Sequence, residues 1–141
     1  MSTGDLRRIL SNPEQTQAWL TSIGIQDGDR AVANITSIVA SGLDDDGITN
    51  ITQQLRYHLP VVSDPDLALN NLERFVSSAP DANELGGRFI ADPKLMPSLL
   101  TFFSCSQYLS DILARDYDCF IQLCQTEGQL YSLNSLIELS E

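Results

Sequence analysis

The sequence predicts an all-α fold, a compact helical array of about eight helical segments with no sheet. A helix-capping residue stands directly before a proline at Asn12-Pro13, Asp64-Pro65 and Asp92-Pro93, and proline suits the first helical position because the N–H that it lacks has no intrahelical partner there. Apolar residues recur at three- and four-residue spacing along most of the chain. The period-two alternation of a half-buried strand is absent, and Val61-Val62-Ser63 is too short to count as one.

Length, composition and charge restrict the kind of protein. The chain has 141 residues, of which 43% are hydrophobic, as in an ordinary globular domain. Eight Lys and Arg residues face 19 Asp and Glu residues, a formal net charge of -11, and this field repels nucleic acids and anionic membranes. No apolar run approaches the roughly 20 residues of a membrane span. The first residues lack the hydrophobic region of a signal peptide. The three cysteines stand at unrelated spacings, which does not indicate a disulfide framework. We expect a cytoplasmic protein without nucleic-acid or membrane partners.

The first sixty residues predict an opening turn at 6–10 and three helices. Each helix begins at a cap and ends at a glycine or proline: Asn12 to Gly24, Asp27 or Gly28 to Gly42, and the acidic turn 44–47 to Pro60. The apolar stripes that the spacing assigns to the inside are Trp19, Leu20 and Ile23; Val32, Ile35, Ile38 and Val39; and Ile48, Ile51, Leu55 and Leu59.

The second half of the chain centres on the helix that begins at Asp64 and Pro65. Its apolar face and its polar face are distinct: Leu69, Leu72, Phe75 and Val76 on one, Asp66, Asn70 and Arg74 on the other. After this helix we expect a turn at 77–83 and a short amphipathic piece with Leu85, Phe89 and Ile90 that Gly86-Gly87 interrupts.

The remaining segments are predicted from caps and prolines. A helix that begins at Pro93 or Pro97 runs through Phe103. Ser104 and Gln107 then stand at capping-box spacing for the next helix. The expected apolar stripe of that helix is Tyr108, Leu109, Ile112 and Leu113. The last segments are Asp116 to Gly128, with Tyr117, Phe120, Ile121 and Cys124 inside, and a helix capped by Ser132.

Two stretches of the chain resemble the N-terminal region of the bifunctional glutamine synthetase adenylyltransferases. The first matches through Asp64, Pro65, Ala68, Leu69, Asn71, Leu72, Glu73 and Arg74. The second matches through Leu99, Leu100, Phe103, Ser106, Tyr108, Leu109, Asp111 and Leu113. The resemblance covers about the middle half of the chain and depends on the order and separation of these residues.

The resemblance implies a role in the control of nitrogen assimilation. In this family one nucleotidyltransferase domain transfers AMP from ATP to glutamine synthetase, and the other removes AMP by phosphorolysis under the control of a PII signalling protein. The chain would be the N-terminal helical segment that supports the deadenylylating domain. Its implied partners are the rest of its own polypeptide, glutamine synthetase and PII; the full-length enzyme would use Mg²⁺ and ATP.

Domain organisation follows from the same interpretation. We expect residues 1–141 to form a single all-helical domain that is an N-terminal fragment of a larger multidomain enzyme, with 1–60 and 64–125 as two helical halves and 129–141 as a truncated terminal helix. The isolated fragment is expected to self-associate through the apolar stripe Leu133, Leu136, Ile137 and Leu139. The competing hypothesis is a free-standing helical adaptor that binds a protein partner.

The catalytic signature of the family, Gly-x-Ser followed by Asp-x-Asp, is absent from the sequence. No glycine is followed two positions later by serine. Four Asp-x-Asp pairs occur at predicted helix starts, at 27/29, 44/46, 64/66 and 116/118, where the helix dipole favours carboxylates, and we interpret them as caps rather than Mg²⁺ ligands. We therefore expect no catalytic residue, cofactor site or metal site, and no enzymatic activity of this chain alone.

The other candidate side chains are weighed against simpler roles. Cys105, Cys119, Cys124 and His58 lack the spacing of a zinc site, so we interpret the cysteines as core residues and His58 as a contact at a helix C-terminus. The aromatic set Phe102, Phe103, Tyr108, Tyr117 and Phe120 is assigned to the core. The candidate interdomain contact consists of Asn70, Asn71, Glu73, Arg74 and Asp111, for which a solvated helix face is the alternative.

Overall fold

The structure, a computed structural model, describes residues 12–125 and consists of helices and short connections. Within these residues there are eight α-helices, α1 (Pro13–Ser22), α2 (Gly28–Val39), α3 (Asp45–His58), α4 (Pro65–Ser78), α5 (Ala82–Ala91), α6 (Leu95–Cys105), α7 (Gln107–Arg115) and α8 (Tyr117–Gln125), with a 3₁₀ turn at Leu59–Val61. No strand occurs between residues 12 and 125. The predicted all-α class is confirmed. The expected opening turn at 6–10, the end at Gly128 and the helix from Ser132 lie outside the described residues.

Side-chain caps fix where the first helices begin. Asn12 accepts hydrogen bonds from the Glu14 and Gln15 N–H groups, and Asp27, Asp44 and Asp64 each accept one from the N–H three residues ahead. These bonds satisfy donors that have no intrahelical partner. The first two predicted stops are also confirmed, because Gly24 and Gly42 have φ of 91° and 112°, a conformation that favours glycine.

Helix α4 lies at the centre of the fold. It packs against α2, α5, α6, α7 and the 3₁₀ turn, and its buried residues are Ala68, Leu69, Asn71, Leu72, Phe75 and Val76. The ring of Phe75 lies against those of Phe103, Tyr117 and Phe120, with centroid separations of 5.8, 5.7 and 4.8 Å. Buried residues from 1–60 and from 64–125 belong to one hydrophobic cluster, so the two predicted halves share a core.

The Gly86-Gly87 pair does not interrupt the helix in which it lies, so the predicted interruption was wrong. Helix α5 runs without a break from Ala82 to Ala91, and Asp81 caps it through the Asn83 and Glu84 N–H groups. The helix persists because its apolar residues pack inward. The two positions differ in the space around them: a Cβ on Gly86 would lie 2.7 Å from Leu43 Cδ2, so that the leucine side chain would have to shift, whereas a Cβ on Gly87 would meet nothing within 4 Å.

This difference provides a matched pair of substitutions. Gly87→Ala should stabilise the protein by about 0.5–1 kcal/mol, because alanine is the better helix former. Gly86→Ala gains the same propensity but forces Leu43 to move, and overpacking of this kind costs about 1–3 kcal/mol. We expect urea titrations to place Gly86→Ala below Gly87→Ala by about that amount. Equal stabilisation by both substitutions would show that α5 does not approach Leu43 this closely.

Three details of the second half also differ from the sequence prediction. Helix α6 begins at Leu95, before Pro97, which is tolerated in the first turn because that turn's N–H groups have no intrahelical acceptor. The capping box was wrong: Ser104 lies inside α6 and its hydroxyl donates to the Thr101 carbonyl oxygen at 2.9 Å. Tyr108 and Ile90 were assigned to apolar faces, but they are 75% and 50% exposed, so neither belongs to the buried part of its helix.

Candidate interaction surface on α4

The candidate residues Asn70 and Glu73 face helix α2. The Asn70 side-chain oxygen accepts hydrogen bonds from Nε and Nη2 of Arg30 at 3.2 and 3.1 Å. Glu73 Oε1 accepts one from the Ser37 hydroxyl at 2.8 Å and one from the Ser77 hydroxyl at 2.9 Å. These bonds attach the polar edge of α4 to α2 on a partly exposed surface.

Asn71 is the buried member of the candidate set, with 1% of its surface exposed. Its amide Nδ2 donates to the Phe103 carbonyl oxygen at 2.9 Å. Phe103 lies in the last turn of α6, where carbonyls lose their intrahelical donors. A buried carbonyl without a partner would cost about 1–3 kcal/mol, so Asn71 acts as a side-chain cap for the end of α6.

Arg74 and Asp111 form an ion pair between α4 and α7. Arg74 Nη1 lies 2.6 Å from Asp111 Oδ1, and the two side chains are 37% and 28% exposed. Gln107 connects this pair to Asn71, because its Nε2 donates to Asp111 Oδ1 at 2.8 Å and to Asn71 Oδ1 at 3.3 Å. We call Asn71, Arg74, Gln107 and Asp111 the elbow network, since they surround the bend between α6 and α7.

The elbow network makes stability depend on pH. The hydrogen bond from Arg74, followed by that from Gln107, holds the pKa of Asp111 below its ordinary value of 3.8. A carboxyl group whose pKa is lower in the folded than in the unfolded state contributes stability above the unfolded pKa, and this contribution is lost as the pH falls through the folded pKa.

We therefore expect the stability difference between the wild type and Arg74→Ala to shrink in acid. Urea titrations should give a constant difference between about pH 5 and pH 7, and a smaller one below about pH 4, as Asp111 becomes protonated. The same difference at every pH down to about pH 2 would contradict the assigned ion pair.

Asp66 has a structural role that the sequence did not indicate. Its two carboxylate oxygens accept hydrogen bonds from the Gln26 and Asp27 N–H groups at 2.9 and 2.7 Å. The carboxylate therefore ties the turn before α2 to the first turn of α4. Beside it lies an open cleft of about 740 Å³ that is lined by Gln17, Gln26, Asp27, Gly28, Asp29, Ser63, Asp64, Pro65 and Asp66.

The predicted caps, cysteines and His58 can be located in the described part of the chain. Among residues 12–125 no group of three or more His, Cys, Asp or Glu side chains is placed to hold a metal ion. The first residues of the Asp-x-Asp pairs act as caps, including Asp116, which accepts from the Cys119 N–H at 3.3 Å. Cys105 and Cys119 are only partly buried rather than fully buried, and Cys119 packs against the hydrophobic core. His58 ends α3, and burial lowers the pKa of its imidazole.

Large apolar side chains are exposed near the end of α3 and on α7. Tyr57, Val61 and Tyr108 are each at least three-quarters exposed. Within the described part of the chain, no helix combines the length and apolar character needed to cross a membrane.

All five residues of the predicted interdomain contact make hydrogen bonds within this chain, and Arg74 and Asp111 remain partly exposed. A contact with another domain stays a prediction. Comparisons with protein-family models, curated proteins and solved structures find no match to this chain.

Proposed function

We propose that this chain is the N-terminal helical segment of a glutamine synthetase adenylyltransferase-like protein, where it supports the deadenylylating nucleotidyltransferase domain. The observation that supports the proposal most directly is the relation between the two stretches of resemblance. The first forms most of α4, the second covers the end of α6 and most of α7, and α4 packs against both helices.

The polar residues of the resemblance connect these two stretches. Asn71 donates to Phe103, and Arg74 pairs with Asp111. All four residues belong to the resemblance, so a pattern separated by about thirty residues in sequence corresponds to one contact in space. If the two stretches matched the family by chance, their matched residues would have no reason to contact each other.

Arg74 and Asp111 are the proposed docking point for the neighbouring domain. Both are partly exposed and charged, and Tyr108 in the same helix as Asp111 is exposed. Tyrosine and arginine are enriched at protein interfaces. The full-length protein would act in the cytoplasm with glutamine synthetase and PII as partners, and would use Mg²⁺ and ATP in domains that this chain lacks.

Calorimetry tests this docking. The first nucleotidyltransferase domain of a glutamine synthetase adenylyltransferase, expressed without its own N-terminal helices, is titrated with the 141-residue chain. We expect saturable 1:1 binding and faster phosphorolysis of adenylylated glutamine synthetase. Arg74→Ala should weaken binding about tenfold or more, as the loss of an interface arginine does.

Arg88→Ala is the matched control. Arg88 is 35% exposed, close to the 37% of Arg74, and it also belongs to a salt bridge, with Glu84 on α5. We expect it to leave binding within about twofold, since substitutions outside the contact rarely exceed about 0.5 kcal/mol. Absence of binding, or equal loss from both variants, would contradict the proposed docking point.

The chain alone is expected neither to transfer AMP to glutamine synthetase nor to remove it. The residues that would hold Mg²⁺ and the nucleotide phosphates in this family have no counterpart in the sequence. Detectable ATP- and Mg²⁺-dependent labelling of glutamine synthetase by the purified chain would overturn this expectation.

The second candidate function is a free-standing adaptor that binds a protein partner through exposed apolar residues. The observation in its favour is the exposure of Tyr57 and Val61, at 77% and 80%, because these two side chains contribute nothing to the hydrophobic core. The same calorimeter distinguishes the candidates. In this experiment the chain is titrated with unmodified glutamine synthetase in the absence of any nucleotidyltransferase domain. Binding that Tyr57→Ala reduces and Arg74→Ala leaves unchanged would favour the adaptor.

A further inference from the structure

The bend between α6 and α7 contains no residue that breaks helices. Only Ser106 separates the two helices, with extended dihedral angles of -136° and 104°. Neither glycine nor proline occurs between Ser98 and Arg115. Sharp bends in helices are normally caused by such residues or by an inserted side chain, so the cause here must lie outside the local sequence.

The buried residues stay in phase across the bend. Leu99, Phe103, Ser110 and Leu113 are all buried, and Ser106 falls between the second and third of them at helical spacing. Separations of four, three, four and three residues describe one stripe along one continuous helix. The sequence from 98 to 115 is therefore compatible with a straight helix as well as with the bend.

The bend is held by the elbow network. In a continuous helix the Phe103 carbonyl would accept from the Gln107 N–H, whereas here it accepts from Asn71 Nδ2 at 2.9 Å. Gln107, Arg74 and Asp111 add further bonds between α4 and the first turns of α7. The bonds of Gln107, Arg74 and Asp111 are side-chain bonds at partly exposed positions. The Asn71–Phe103 bond is buried, but in a straight helix the Gln107 N–H would take its place, so the Phe103 carbonyl would stay paired when the bend opens.

We propose that the α6–α7 bend is a hinge for domain swapping, through which the chain pairs with a second copy of itself. When the elbow network opens, α6 and α7 join into one straight helix, and α7 with α8 packs on α4 of the other copy. The contacts of Phe75 with Tyr117 and Phe120, and of Arg74 with Asp111, are then made between chains. Such exchange costs little because the same contacts are remade, and short connections between elements favour it.

The net charge predicts how the pairing responds to salt. Each copy carries a formal charge of -11, so two copies repel each other, and salt screens that repulsion. The dimer fraction should rise as the salt concentration rises. A dimer held together by surface salt bridges would respond in the opposite direction.

Two substitutions at Gln107 test the hinge, because they should act in opposite directions. Gln107→Ala removes the side chain from the elbow network but keeps the N–H that a straight helix needs. We expect it to raise the dimer-to-monomer ratio about fivefold or more, since a lost hydrogen bond of this kind costs about 1 kcal/mol in the bent form.

Gln107→Pro removes the same side chain but forbids the straight helix. Proline fits the first position of α7, and the extended Ser106 before it suits a residue that precedes proline. In a straight helix it would lack the N–H and clash with the Phe103 carbonyl. We expect the dimer-to-monomer ratio to fall about a hundredfold relative to Gln107→Ala, which corresponds to about 3 kcal/mol at 1.4 kcal/mol per tenfold.

The measurement is size-exclusion chromatography with light scattering after refolding from urea at high protein concentration, in a reducing buffer that excludes disulfide dimers. Equal dimer fractions for Gln107→Pro and Gln107→Ala would overturn the hinge, and so would a wild type and a Gln107→Ala variant that both remain monomeric.

Circular dichroism verifies that the proline variant is folded. If the proline variant is unfolded, the wild-type dimer is isolated and diluted, and its dissociation is followed. A swapped dimer should persist because its exchange requires partial unfolding. A dimer that dissociates at once would contradict the proposal.

Discussion

Replacement of Phe75 by alanine is expected to destabilise the protein by about 3–5 kcal/mol, the usual cost of deleting a fully buried phenylalanine. Phe75 has no exposed surface, and its ring contacts aromatic rings from α6 and from α8. The cost falls in the upper part of the range because the neighbours of the cavity are themselves rings on different helices, which cannot all move inward at once. Urea or thermal titration of the purified chain measures the loss.

Tyr57→Ala is the control for Phe75→Ala. Tyr57 is also an aromatic residue in a helix, but it is 77% exposed, and we expect its replacement to change stability by less than about 0.5 kcal/mol. A similar loss from both variants would mean that size rather than burial determines the effect. A loss below about 1 kcal/mol at Phe75 would mean that α8 does not pack against α4 as described.

The helix starts and the apolar faces were predictable because both depend on residues close together in sequence. A cap such as Asn12 or Asp44 bonds N–H groups two or three residues away, so the signal lies within one turn. The inner face of α4 follows in the same way from the spacing of Leu69, Leu72 and Phe75. For these elements the local pattern and the tertiary structure agree.

The errors arose where a distant residue decides the local structure. Gly86 is read as a turn signal, yet α5 passes through it because the apolar residues of this helix pack inward, and Gly86 itself lies close to the Leu43 side chain. Ser104 and Gln107 match a capping box, but the bend lies two residues later, where Asn71 captures the Phe103 carbonyl. Short-range spacing contains no information on either partner.

The candidate site was predictable in its residues but not in its connections. Polar residues on a helix with a strong apolar face identified the set on α4, and Asp111 was added from α7. Their long-range partners lie 32 to 40 residues away in sequence, as for Asn71 with Phe103 and Asn70 with Arg30. Asp66 has the same property: it bonds the backbone of Gln26 and Asp27, and no spacing rule predicts such a bond.

Replacement of Leu72 by alanine tests which face of α4 lies inside. Leu72 has no exposed surface, and we expect a loss of about 2–5 kcal/mol, the range for a buried leucine. The loss combines the transfer of the removed side-chain atoms with the cavity that remains. Because α4 contacts helices from both halves of the chain, a cavity at its centre should weaken the whole cooperative unit, so the midpoint of denaturation should fall while its slope stays constant.

Ile90→Ala is the matched control for Leu72→Ala, because isoleucine and leucine have the same number of side-chain carbons and Ile90 lies half exposed on a neighbouring helix. Its replacement should change stability by at most about 0.5 kcal/mol, since little apolar surface is lost from the core and alanine is the better helix former. A loss at Leu72 well below 1 kcal/mol would mean that the wrong face of α4 has been placed inside. In that case the polar residues Asn71 and Arg74 would also point elsewhere, and the docking point proposed around Arg74 would have to be abandoned with it.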